Sequence, residues 1–294
     1  DNFVFTPCLS GRKQLVDYTK KFDAFILGSD QVWNPMLLGG DYYTLTWVES
    51  RRPKVTYASS FGVSEIPASQ VKKTKAYLSR FNMISVREKQ GAEIVEKLTR
   101  KKAEVCCDPT VLTDRKRWDK LSGDCPFVNE KYIFCYFIGN NPSQREFAKK
   151  LAQKTGCKIL AVKHIDEYIK SDDDFGDIDY LEVGPKEFVN FIRYATYVCT
   201  DSFHGTIFSI MYNKNFFTFK RFSDSQKSSM NSRVKNILSI VGLSNRLFEN
   251  SITPEAALAY QVDWSDVNKR LNDFRKSSRE YFERATKCLK GAQE

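Results

Sequence analysis

Histidine is the scarcest residue of this chain, with His164 and His204 alone in 294 residues. The eight cysteines, at positions 8, 106, 107, 125, 135, 157, 199 and 288, show no CxxC spacing, so no zinc-ligand pattern is present. No apolar run approaches the roughly 18 residues that a membrane-crossing helix requires. GxGxxG, GxxxxGKS/T and GxSxG are all missing, which removes the usual dinucleotide, P-loop and serine-hydrolase readings. No RNP-type or zinc-finger signature points to nucleic acid. Internal repeats, low-complexity segments and a signal peptide are lacking too, although the chain opens on "DNFVFTP" without an initiator Met.

What is present describes a folded protein. The chain is 41% hydrophobic and 14% aromatic, and it is long enough for two domains with separate cores. Several cysteines fall inside apolar runs such as "YIFCYFIG", as expected for buried free thiols in a reducing cytoplasm. The net charge of +10 suits an anionic partner: a phosphate substrate, an acidic membrane surface or nucleic acid. A solvated lysine-rich surface would give the same number.

Strand-length apolar runs alternate with helix-periodic segments. Residues 22–29, 54–62, 82–88 and 103–109 read as strands, with helical spacing in 67–81 and 88–100. A second series follows the turn-rich stretch 121–131: strand 132–139, helix 142–156, strand 157–162, helix 185–195, strand 196–202 and strand 216–221. Such alternation predicts an α/β protein with mainly parallel sheets. The expected domains are 1–124 and 125–260, followed by an amphipathic helix in 261–294. Its stripe is Trp264, Val267, Leu271, Phe274, Tyr281, Ala285 and Leu289, with Ser278 in a polar slot, and it fits docking on the body or, alternatively, a partner.

Ligands of open α/β sheets bind beyond the carboxyl ends of the strands. In "FILGSDQVWNP", Gly28 permits a tight turn or close backbone approach, Ser29 and Asp30 are cap-type residues, and Asp30 is a candidate base. In "ISVREKQG", Arg87 stands where a guanidinium can grip a carboxylate or phosphate, unless it forms only a surface pair with Glu88. In "TDSFHG", Asp201 and Ser202 can cap a helix, Gly205 lets a ligand approach the backbone, and His204 stands at the positive helix end, which disfavours imidazolium. A capping His204 whose ring only fills space is the competing reading. Asp108-Pro109 reads as a turn that shapes the end of the first domain, and His164 as structural or peripheral.

"FDAFILGSDQVWNP", "YASSFG", "SVRE", "CCDPTVL", "GPKEFVNFIRYATYVCTDSFHGTIFSIMYNKNFFTF" and "SRVKNILSIVGLSNRL", in this order, resemble the polysaccharide pyruvyl transferase family over roughly residues 3–250. The resemblance implies two Rossmann-like domains facing a cleft, GT-B-like, with the first βα unit of the family missing. It implies transfer of the enolpyruvyl unit of phosphoenolpyruvate to a sugar or lipid-linked glycan precursor, with no cofactor and no metal. Carried onto this chain, His204, Arg87 and Asp30 are the catalytic residues. Gly28, Ser29, Ser60, Asp201, Ser202, Gly205, Arg221 and Arg233 are the substrate-binding ones. A branch of the family resembles Arg-Leu-His where this chain has Ser202-Phe203-His204, so Lys220, Arg221 or Arg233 would have to supply the charge. A nucleotide-sugar glycosyltransferase and a non-catalytic glycan-binding relative are the alternatives. The expected location is cytoplasmic, with peripheral contact to an anionic membrane.

Overall fold

The computed structural model describes residues 7–38, 41–163, 168–180, 182–222, 231–249 and 251–291. The chain divides into two compact units: residues 1–108 with 276–294, and residues 109–275. The boundary thus falls at Asp108-Pro109, where the sequence reading placed it at 124, and the residues after 260 do not form a unit of their own.

The first unit contains helix α1 (Gly11–Thr19), strands β1 (Phe25–Leu27) and β2 (Lys54–Thr56), helix α2 (Val71–Leu78), strand β3 (Ser85–Val86), helix α3 (Lys89–Thr99) and strand β4 (Glu104–Val105). β1 pairs with β2 and β3 with β4, all parallel, while parallel bridges Val55–Met83 and Ser59–Val86 join the pairs. Trp33 is fully buried against the rings of Phe61, Tyr77 and Phe81 at 5.2–5.9 Å. Its indole N–H donates to the Tyr43 carbonyl at 3.2 Å, which pins the loop that follows β1. These strands are shorter than the apolar runs predicted. Beyond Thr56 and Val86 regular pairing gives way to single bridges, and side chains share the backbone groups: Ser85 Oγ accepts the Ala58 amide, Ser59 Oγ donates to the Leu27 carbonyl and Glu88 Oε1 accepts the Phe61 amide.

The second unit opens with helices α4 (Pro109–Leu112) and α5 (Arg115–Ser122), the latter capped by the Asp114 carboxylate. Then follow β5 (Tyr132–Tyr136), α6 (Pro142–Thr155), β6 (Lys158–Ala161), β7 (Ile178–Asp179), α7 (Pro185–Tyr194), β8 (Tyr197–Thr200), α8 (Phe203–Met211), β9 (Asn215–Phe219), α9 (Ser232–Ile240), β10 (Leu247–Phe248) and α10 (Pro254–Leu258). The strands form one parallel sheet in the order β10-β9-β8-β5-β6-β7. α6 shows why the local sequence stops and starts as it does. Asn141 caps it, Pro142 occupies the first position where no N–H is needed, and Gly156 closes it at φ +67°. α8 is apolar on every side, so it is buried throughout except at its half-buried His204.

Helix α11 (Trp264–Gly291) belongs with the second unit through Arg275 and with the first from Lys276. Val267, Leu271, Tyr281, Ala285 and Leu289 of the predicted stripe are buried, while Trp264 and Phe274 are half-buried. The polar slot has a use. Ser278 Oγ accepts the Cys107 amide at 2.9 Å, and the Tyr281 hydroxyl donates to the Thr56 carbonyl at 2.8 Å. Five cysteines are buried, but Cys8 and Cys125 are exposed and Cys288 half-buried, so burial explains only part of the cysteine usage. Burial pushes the Cys106 thiol up to about 12.

Ser278→Ala takes the acceptor from a buried amide and should destabilise the protein by about 1–3 kcal/mol. Urea denaturation measures this, with the exposed Ser265→Ala expected within about 0.5 kcal/mol of wild type.

Candidate functional site

In the first unit, the carboxyl ends of all four strands converge on Arg87. Its Nη2 donates to Ser29 Oγ at 2.5 Å and lies 2.8 Å from Asp108 Oδ2, while Nη1 lies 3.4 Å from Asp30 Oδ1. Ser29 Oγ also accepts the Asp30 amide at 2.6 Å and donates to Asp108 at 3.3 Å. Arg87 and Asp108 are buried, whereas the Asp30 side chain is 62% exposed. Gly28 adopts φ +141°, and a Cβ there would stand 2.1 Å from the Tyr57 carbonyl oxygen, so it is the neighbouring strand that requires glycine.

The structure revises several sequence expectations here. Arg87 and Glu88 do not form a surface pair: both are buried, and Glu88 Oε1 accepts from Ser60 Oγ and from the amides of Phe61 and Gly62 at 2.9–3.2 Å. Ser60 is fully buried as well, donating to Glu88 and accepting the Gly62 amide, so its hydroxyl holds the loop together. Asp108, read as a mere turn former, is the carboxylate that neutralises Arg87. The one-plus, two-minus group makes a poor anion trap as it stands.

In the second unit, the sheet order reverses between β5 and β8, the place where α/β sheets open a crevice. Asp201, whose side chain is 0% exposed, spans that place. Its carboxylate accepts the Ile138 and Gly139 amides, each at 2.8 Å, and lies 3.7 Å from Arg221 Nε. Arg221 Nη2 donates to the Asp201 carbonyl at 3.2 Å, and its Nε has no hydrogen-bond partner among the described residues. Ser202 Oγ caps α8 by accepting the Gly205 amide at 3.3 Å. A Cβ on Gly205 would stand 2.6 Å from Thr200 Oγ1, so Gly205 answers to helix–strand packing, not to a ligand.

His204 stands half-buried in the first turn of α8, its ring edge-on to Phe203 at 5.3 Å. The Arg233 guanidinium lies 5.4 Å over the Phe203 ring. One helix N-terminus therefore gathers an imidazole and two guanidiniums, a cationic arrangement suited to a phosphate or carboxylate. Lys220 turns away and bonds Glu249. His164 lies outside the described residues. Gly139, which the sequence reading passed over, is needed because a Cβ there would stand 2.8 Å from Asp201 Oδ2 and 2.9 Å from Arg221 Cγ. Its only signal was a glycine at a strand end.

The ordered motifs now carry weight beyond their short lengths, because they fall at the strand ends of two parallel sheets. A sequence model described as polysaccharide pyruvyl transferase matches residues 3–221. The chain belongs to the polysaccharide pyruvyl transferase family. Against curated proteins there is no sequence match. Among solved structures, a protein assigned as UDP-N-acetylglucosamine 2-epimerase from Listeria monocytogenes shares 10% identity at a TM-score of 0.53, covering 90% of this chain and 71% of that one. A UDP-GlcNAc 2-epimerase from Neisseria meningitidis, bound to UDP-GlcNAc, gives 9% and 0.49 over 92% and 80%. The first likeness shows the fold: this pyruvyl transferase family member is α/β, GT-B-like, with parallel sheets and a long C-terminal helix. Among the described residues, no group of three or more His, Cys, Asp or Glu could hold a metal ion, and no helix is long and apolar enough to cross a membrane.

Asp108→Asn removes the buried carboxylate beside the buried Arg87 guanidinium and should cost about 3 kcal/mol, read from the shift in urea midpoint. Asp201→Asn presents an NH2 to one of two amides that both need an acceptor. A loss of about 1–3 kcal/mol is expected, with faster hydrogen exchange at Ile138 or Gly139.

Proposed function

We propose that this family member transfers the enolpyruvyl unit of phosphoenolpyruvate to a sugar of a polysaccharide or lipid-linked glycan precursor. The observation that supports this reading is the first turn of α8, where His204, Arg221 and Arg233 come together around a helix N-terminus. Phosphoenolpyruvate carries a phosphate and a carboxylate, and both seek such donors. In the proposed reaction a sugar hydroxyl adds to C2 of the enol while the methylene C3 gains a proton. The bond from C2 to the phosphate oxygen breaks and phosphate departs. A second hydroxyl then bonds C2, losing its proton, and closes the ketal.

Two proton-transfer groups suffice. His204 is one. The other is an acidic group, Asp30 or Asp201; Asp201 accepts two amides and lies beside Arg221, whereas the Asp30 side chain is 62% exposed. Arg87 and Ser29 hold Asp30 in place, and Arg87 exchanges it for an anion where one is bound. No cofactor enters this chemistry. We place the reaction in the cytoplasm, where a chain of net charge +10 also suits brief contact with an anionic membrane face carrying the acceptor.

Thermal shift with phosphoenolpyruvate, inorganic phosphate, UDP and GDP tests the donor. Phosphoenolpyruvate should raise Tm, and His204→Ala should lower phosphate release with a glycan acceptor pool by roughly 100-fold or more. Arg87→Ala and Arg221→Ala should weaken the phosphoenolpyruvate effect. Stabilisation by UDP or GDP without any by phosphoenolpyruvate would assign the fold to nucleotide-sugar transfer instead.

A further inference from the structure

A cavity of about 630 Å³ lies in the second unit, between the first two turns of α6, the turn Lys170–Asp172 and the residues leading into α10. None of the residues assigned above lines it. Its wall carries charge that the fold does not consume. Arg145, with a side chain 3% exposed, donates from Nε to Asp172 at 2.7 Å and from Nη1 to the Gly139 carbonyl at 2.7 Å. Its guanidinium lies 5.1 Å over the Phe137 ring, and Nη2 has no hydrogen-bond partner among the described residues.

Lys149 and Lys170, both exposed in this wall, have no ion-pair partner among the described residues, whereas Lys150 is held by Glu146 at 3.5 Å. Asp174 lines the wall as a carboxylate, and Ser171 Oγ is buried with no hydrogen-bond partner among the described residues. Two unengaged ammonium groups suit a phosphate, because each is a mobile point charge with three donors. A carboxylate and hydroxyls suit the alcohol groups of a sugar, which both donate and accept. The volume falls within the roughly 300–1,000 Å³ of small-molecule sites.

We propose that this cavity binds a phosphorylated saccharide. The site is separate from the first turn of α8 and does not depend on the identity of the donor bound there. Isothermal titration of the full chain with glucose 1-phosphate, inorganic phosphate and methyl glucoside tests it. Glucose 1-phosphate should bind, inorganic phosphate should bind more weakly, and methyl glucoside most weakly. Lys149→Gln/Lys170→Gln, which changes only exposed side chains, should weaken glucose 1-phosphate at least tenfold, while His204→Ala should leave it unchanged. No binding to wild type at millimolar ligand overturns the proposal. So does equal affinity in wild type and the double variant, an inorganic phosphate affinity equal to that of glucose 1-phosphate, or loss of binding in His204→Ala.

Discussion

The second unit is organised around one buried carboxylate. Taking Asp201 out of water costs several kcal/mol unless its oxygens are satisfied. They are, by two backbone amides from the loop after β5, each forming a short charge-assisted bond, and by the guanidinium of Arg221 nearby. The carboxylate thus locks the ends of the two strands between which the sheet order reverses. Gly139 follows from this arrangement, because the space its side chain would fill belongs to Asp201 and Arg221. So does the fixed position of α8, whose N-cap Ser202 is the next residue along the chain.

The first unit uses the same device with a different charge balance. Successive residues on a strand point to opposite faces, and β3 delivers Arg87 to one side and Glu88 to the other. Arg87 gathers Ser29, Asp30 and Asp108 from the loops after β1 and β4, while Glu88 holds the loop after β2 through one hydroxyl and two amides. Every strand end in this unit is therefore fastened to a buried ion. Two carboxylates around one guanidinium repel an anion, whereas a helix N-terminus with two arginines attracts one.

Alternation of apolar runs with helical spacing was enough to read the fold class, and the ordered motifs enough to read the family. Strand lengths were less legible. Past Thr56 the run reads on through Tyr57, Ala58 and Phe61, but the Ala58 and Phe61 amides donate to Ser85 Oγ and Glu88 Oε1, and sequence period does not reveal that exchange. Helices α1, α5 and α9 escaped because their apolar faces are thin and lysine- or arginine-rich. The site residues were found by position, at strand ends, but their duties were not. Asp108 looked like a turn because Asp-Pro is one, and only its 2.8 Å approach to Arg87 gives it a second task.

Residue type marks a polar strand end without saying which groups remain for a ligand. Ser60, Asp201 and Gly205 have the composition of a binding site, yet each is consumed: Ser60 by Glu88, Asp201 by two amides, Gly205 by the Thr200 side chain. Buried polar atoms must be paired, so a site rich in Ser, Asp and Gly spends most of them on holding itself together. Exposure differs among the remaining polar groups: His204 is half-buried in the first turn of α8, Arg221 Nε has no hydrogen-bond partner among the described residues, and the Asp30 side chain, beside Arg87, is 62% exposed.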